Sequence, residues 1–343
     1  MTYEEIKQLV QTSDEYDFLR QEKRLGNNLI LLGLGGSYAY GTNTENSDID
    51  VRGIATNDIN DILHVGIEKY SFEQFDDENT DTVIYSFNKM IRLLSECNPN
   101  TIEILGNPKD EYFVLTDIGK ELLDMAPCFL SKRCEKTFTG YANQQLYRLK
   151  QKSLCAMTAE EYNEHIAKVL KSMTERFEKQ GLESDALVPT IIGGDIHILV
   201  KNSIDIPAEK LKVYLNELNT TINDYTKISK RNKKATEHGK INKHAMHLLR
   251  LYMMGVDIAK NKEIITKRVD EHNLLMDVRN GKFSDLNGTP NKDFFDMVEE
   301  YERKFEEALK NTTLPDKPDY EKIYKFVDKV NAQLIQGMLR KKV

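Results

Sequence analysis

Asp48 and Asp50 are the residues whose type and spacing ask for chemistry. They lie in Asp48-Ile49-Asp50-Val51, an acid/apolar alternation that reads as a strand with one wet face and one buried face. On a strand, residues two apart project from the same face, so both carboxylates point one way. At about 4 Å and an effective dielectric near 20, two such charges repel by roughly 4 kcal/mol. Either they share a proton or a cation stands between them. Mg²⁺ or Mn²⁺ suits the second case, since a hard cation takes one or two carboxylates together with substrate phosphates. Ten residues separate Asp48 from an upstream Gly36-Ser37, which closes an apolar run that begins at Leu29. Gly36 has no Cβ and lets the backbone approach a ligand closely. Ser37 adds a hydroxyl and an amide N–H, both donors to phosphate. A phosphate-cradling turn beside a divalent-metal pair points to nucleoside triphosphate chemistry.

The ordered combination is similar to a known family. An apolar strand, Gly36-Ser37, ten residues and then Asp48-Ile49-Asp50 resemble the DNA polymerase beta-like nucleotidyltransferase superfamily. The longer run resembles one branch of it, the predicted nucleotidyltransferases often called RNA-ligase-associated polymerase-like proteins. That run is Gly36-Ser37-x-Ala39-Tyr40-Gly41-Thr42 followed by Ser47-Asp48-x-Asp50-x-Arg52-Gly53. The catalytic resemblance covers about residues 28–106, and weaker echoes reach about residue 285. It implies a Mg-dependent transfer of NMP from an NTP, with ATP the expected donor, to a hydroxyl acceptor. By the same resemblance Gly36 and Ser37 grip the β/γ-phosphates. Asp48, Asp50 and a third carboxylate hold two ions. Asp81, at the head of an expected strand over 82–87, best fits the third position, and Glu103 and Glu73 compete for it. Arg52 is set either to neutralise developing charge or to make a structural salt bridge.

The elements that must position these residues follow from periodicity. A helix is expected over 2–24, with Thr2 as its cap, and a strand over 29–32. Residues 67–75 and 81–87 read as a hairpin around Asp76-Asp77-Glu78-Asn79. A helix over 88–96 is broken at Asn98-Pro99-Asn100, and Thr101 caps a short one over 102–105. Beyond about residue 112 helical spacing dominates: 117–126, 130–153, 159–180, 208–227, 240–256, 261–278, 293–311 and 319–340. The fold class is therefore α+β. A nucleotidyltransferase domain with a mixed, polymerase beta-like palm sheet is expected over 1–110, followed by an all-helical domain over 111–343.

The most basic stretch is 227–250, with Lys227, Lys230, Arg231, Lys233, Lys234, Lys240, Lys243 and Arg250 against the single acid Glu237. Lys243, His247 and Arg250 share one helical face, with His244 beside them. The branch has a similar Lys-His helix ending in Arg-Leu, which implies that Lys243, His244 and Arg250 contact triphosphate or the acceptor backbone. An RNA 3′ end is the preferred acceptor. A protein hydroxyl or a small molecule is the alternative within the same chemistry, and an idle nucleotide-sensing or RNA-binding module is the alternative from another class.

Composition sets outer bounds. The chain has 343 residues, 40% apolar and 30% charged, with a formal net charge of −7. That charge argues against coating nucleic acid wholesale but leaves room for a local basic surface. No apolar run approaches bilayer-spanning length, and Met1–Val10 is unlike a secretory leader. Cys97, Cys128, Cys134 and Cys155 show neither metal-ligand spacing nor a disulfide framework, which fits buried thiols in a reducing cytoplasm.

Overall fold

Leu29–Leu34 form strand β1, and all six residues are buried. An uninterrupted apolar run of this kind belongs in a strand covered on both faces. In the computed structural model β1 lies between β2 (Val51–Ala55) and β5 (Tyr112–Leu115), antiparallel to both. β4 (Thr82–Ser86) runs parallel to β2, and β3 (Gln74–Asp77) pairs antiparallel with β4. The sheet is mixed, with order β3-β4-β2-β1-β5, so the α+β class holds. The structure describes residues 1–63, 72–155, 187–192, 195–200, 212, 215, 216, 240–285 and 288–341.

The helices around the sheet have local causes. α1 (Tyr3–Thr12) starts in a capping box between Thr2 and Glu5. The expected helix over 2–24 is interrupted at Ser13, whose backbone is extended and whose side chain caps a 3₁₀ turn over Asp14–Tyr16. α2 (Phe18–Gln21) follows. Arg20 turns back to donate to the carbonyls of Val10, Gln11 and Ser13, satisfying the open end of α1. α3 (Gly36–Tyr40) follows β1, and α4 (Ile59–Leu63) follows β2. α5 (Phe87–Ser95) runs directly out of β4, and α6 (Pro99–Ile102) is capped by Asn98 with proline in its first turn. The helix expected over 102–105 is instead a 3₁₀ turn over Glu103–Gly106. Further along come α7 (Asp117–Asp124), α8 (Ala126–Phe129), α9 (Arg133–Cys155), α10 (Lys240–Asn261), α11 (His272–Arg279), α12 (Lys292–Lys310) and α13 (Tyr320–Lys341). Among the described residues no helix is long and apolar enough to cross a membrane.

The chain forms two compact units. The first takes in Met1–Gln144, Met246–Asp277 and Asp296–Val343. Its core is stitched by aromatic pairs: Tyr3 of α1 stacks on Phe113 of β5 at 5.5 Å, and Phe87 of α5 meets Phe326 of α13 edge-on at 5.5 Å. Phe305 of α12 packs between Phe138 of α9 and Tyr252 of α10. A cut at residue 110 would part β5 from β1, because the sheet is completed only at Leu115. The second unit takes in Gln145–Ala245 and Val278–Phe295. It holds an antiparallel hairpin, β6 (Leu187–Ile192) with β7 (Asp195–Val200). This corrects the expectation of an all-helical second half. In sequence Gly193-Gly194 reads as punctuation between helices, yet the β-branched runs on either side of it pair as strands. The helices expected over 159–180 and 208–227 lie outside the described residues, apart from helical positions at Lys212, Leu215 and Asn216.

Gly119 in α7 decides how closely that helix approaches β1. A Cβ there would stand 2.3 Å from the main-chain oxygen of Ile30. Helix propensity favours Ala over Gly by about 1 kcal/mol, but main chain cannot give way as a side chain can. The expected result for Gly119→Ala is therefore a loss of about 1–3 kcal/mol, read as a lower urea midpoint. A raised midpoint would mean that α7 shifts freely on the sheet.

Candidate active site

The site begins where β1 ends. Gly35 caps α3, and its amide donates to the carbonyl of Asp50 at 2.8 Å, tying the turn to the acidic segment. Gly36 has φ +54°, in the left-handed region that favours glycine. A Cβ on Gly36 would fall 1.8 Å from Asp50 Oδ2. The Asp50 carboxylate thus rests directly on the bare Cα of the turn. Ser37 is 1% exposed, and its Oγ has no hydrogen-bond partner among the described residues.

Asp48 and Asp50 do not lie in the strand that the alternation suggests. β2 begins at Val51, paired with Leu34 of β1 and Thr82 of β4. Before that register both neighbours are lost: Gly35 turns away into α3, and Asp81 adopts φ +46°. The two acids occupy the extended approach to β2. Asp48 is exposed, whereas the Asp50 side chain is only 14% exposed.

Arg52 organises the next layer. Its Nη2 lies 3.2 Å from Asp50 Oδ1 and 3.2 Å from Asp81 Oδ1. Its Nη1 donates to the carbonyls of Val51 at 3.0 Å and Asp81 at 2.5 Å. Of the three candidates for a third carboxylate, Asp81 is therefore the one brought next to Asp50, with the guanidinium between them. Glu73 pairs with Lys89 at 3.5 Å and Arg92 at 3.9 Å. Glu103 is committed elsewhere: it accepts from Arg250 Nη2 at 2.9 Å and from the Tyr40 hydroxyl at 3.0 Å.

That last cluster holds Arg250. Its side chain is 8% exposed, and its guanidinium lies 3.5 Å from the centre of the Tyr40 ring. Burial works against its charge, but Tyr40 and Glu103 outweigh burial and hold the guanidinium charged. Burial pushes the Tyr40 phenol far up, Arg250 pulls it back and Glu103 pushes it further, so it remains a hydrogen-bond donor. Arg250 thus places its charge inside the protein, on the far end of the helix that starts at Gly36. His247 packs edge-on against the same Tyr40 ring at 5.5 Å. Lys243 and His244 are half-buried and belong to the second unit. The basic run over 227–239 lies outside the described residues.

Sequence reasoning missed that Tyr40 anchors the turn. The signal was present as a buried-type aromatic between Ala39 and Gly41 in the quoted motif, three residues past Ser37. It takes on meaning only once Glu103 and Arg250, distant in sequence, converge on it.

These residues fit a divalent cation in part. Asp48 and Asp50, with Asp50 held against Gly36 and the uncommitted Ser37 hydroxyl in the turn, are a donor set suited to Mg²⁺ together with phosphate oxygens. Among the described residues, however, no group of three or more His, Cys, Asp or Glu side chains is arranged to hold a metal ion.

Residues 8–170 match the family RlaP, the RNA repair pathway DNA polymerase beta family. That segment is similar to polymerase beta-like nucleotidyltransferases. The RlaP match contains the Gly36-Ser37 turn, Asp48, Asp50, Arg52 and Asp81, together with the whole five-stranded sheet. It covers Tyr40 and Glu103 but ends before Arg250. No curated protein and no solved structure matches the chain.

Two outcomes follow from this geometry. Gly36→Ala must displace Asp50, and a misplacement of about 1 Å costs roughly 100-fold in turnover. Nucleotidyl transfer by the variant should fall by at least that order while its far-ultraviolet circular dichroism is unchanged. Glu103→Leu leaves the buried Arg250 uncompensated and should cost about 3–5 kcal/mol in urea denaturation. Adding Arg250→Met should recover part of that loss, which a double-mutant cycle measures.

Proposed function

We propose that the protein is a Mg²⁺-dependent nucleotidyltransferase that moves NMP from an NTP, with ATP the preferred donor, onto the 3′ end of an RNA. The observation that carries this reading is the Asp50 carboxylate seated on the left-handed Gly36, with Asp48 two residues before it. A binding module needs no such costly placement of acids beside a phosphate turn. The similarity of residues 8–170 to an RNA repair family supports the choice of acceptor.

In this reading the turn holds the β- and γ-phosphates through the Gly36 and Ser37 backbone and the buried Ser37 hydroxyl. A divalent ion on Asp48 and Asp50, when bound, neutralises the triphosphate and the charge that grows at the α-phosphate. The acceptor oxygen forms a bond to the α-phosphorus. The bond from that phosphorus to the β-phosphate's bridging oxygen breaks, and pyrophosphate leaves with the electron pair. The hydroxyl proton passes to Asp81, whose carboxylate is 56% exposed and lies next to Asp50 across Arg52. Lys230, Arg231, Lys233 and Lys234 supply phosphate contacts for the RNA strand.

Incubation with each labelled NTP, Mg²⁺ and total cellular RNA tests the reaction and the acceptor together. Label is expected in RNA with the parent protein and absent with the Asp48→Ala, Asp50→Ala double variant. Label on protein or on a small molecule would replace the acceptor, and NTP binding without transfer would replace the reaction. Reversing the charge of Lys230, Arg231, Lys233 and Lys234 should abolish RNA extension and leave ATP binding intact. Unchanged extension would remove that segment from the RNA path.

A further inference from the structure

The polymerase beta-type reaction is commonly drawn with two divalent ions shared by three carboxylates. The geometry of this chain disagrees with that count. We propose that Arg52 permanently occupies the place of the second cation, so that the site takes one divalent ion, on Asp48 and Asp50, and uses a guanidinium for the other charge. The inference rests on the nucleotidyltransferase reading of the acid pair.

Four oxygen acceptors surround the guanidinium: the Asp50 and Asp81 carboxylates at 3.2 Å each, and the carbonyls of Val51 at 3.0 Å and Asp81 at 2.5 Å. Both carboxylates meet the same nitrogen, Nη2, so the gap that a bridging ion would fill already holds a charge. Guanidinium is planar, always protonated and a donor along fixed directions, so its charge does not depend on metal supply.

The backbone is shaped to keep it there. A Cβ on Gly35 would fall 2.7 Å from Arg52 Cγ and 3.6 Å from Nε, so the stem of Arg52 lies across a turn residue that has no side chain. Asp81 adopts φ +46°, unusual for a residue other than glycine. Its carbonyl there accepts from Arg52 and also from the Val51 amide at 3.2 Å. A residue that served only as an ion ligand would not need its main chain turned toward an arginine. Asp48 makes no ion pair among the described residues and is left for the divalent ion. Among the described residues no group of three acids forms a metal cluster, in keeping with an arginine at that place.

The test counts Mn²⁺ bound by the full chain at saturating α,β-methylene ATP, by electron paramagnetic resonance against a protein-free nucleotide control. One ion per chain is expected for the parent protein. Asp81→Asn should leave that count at one, whereas in a two-ion site it would drop from two to one. Arg52→Gln should raise the count to two, and Arg52→Gln with Asp81→Asn should return it to one. Two ions on the parent protein overturn the proposal, as does a folded Arg52→Gln chain that still binds one. If the parent and the Asp48→Ala, Asp50→Ala variant both bind none, the acid pair is not a metal site. The nucleotidyltransferase reading then falls together with this one, an outcome distinct from the other two.

Discussion

The Asp50 carboxylate sits on the Cα of Gly36, and the rest of the site depends on that contact. It couples the end of β1 to the approach of β2 at a distance that no side chain on residue 36 would permit. The Gly35 amide reinforces it by donating to the Asp50 carbonyl. One close approach therefore sets where the turn faces, where Asp50 points and where β2 begins. The pairing of β1 with β2 and β5 then holds the approach rigid, because β1 is buried along its whole length.

Behind the turn, a charge is buried to keep a short helix in place. α3 has five residues, too few to be stable by its own hydrogen bonds. Its last residue, Tyr40, is clamped by the Arg250 guanidinium on its ring face and by Glu103 on its hydroxyl. Thr266 donates to the Glu103 carbonyl at 2.6 Å, and Arg268 donates its amide to the Tyr40 carbonyl at 3.3 Å. Segments from three distant places in the chain thus converge on one tyrosine. Buried ion pairs contribute little net stability, but breaking one is costly, so such a cluster enforces a single arrangement.

In front of the turn the logic is the reverse. Arg52 is partly exposed and lies between two carboxylates, where it offsets the repulsion that would otherwise press on the Asp50–Gly36 contact. Two arginines thus bracket the turn with different duties. The buried one fixes a helix, and the partly exposed one balances two acids.

The periodicity of residues 29–34, the glycine turn and the Asp48/Asp50 pair were legible from order alone, because short-range spacing sets strand alternation and turn chemistry. β4, the helix after it and the α+β class were legible for the same reason, but β3 is Gln74–Asp77 rather than the expected 67–75, because Asp76 and Asp77, which read as turn, pair with Val83 and Thr82. Tertiary structure alone decided the partners of Arg52, Glu103 and Arg250. As sequence, each is a charge that suits phosphate, metal or salt bridge equally well. Which one it serves depends on partners 29, 147 and 63 positions away, and on burial that no local pattern encodes. β5 and the β6–β7 hairpin escaped for a related reason. A strand of four residues, or one bordered by paired glycines, has too little periodicity to be told from a loop until another strand lies beside it.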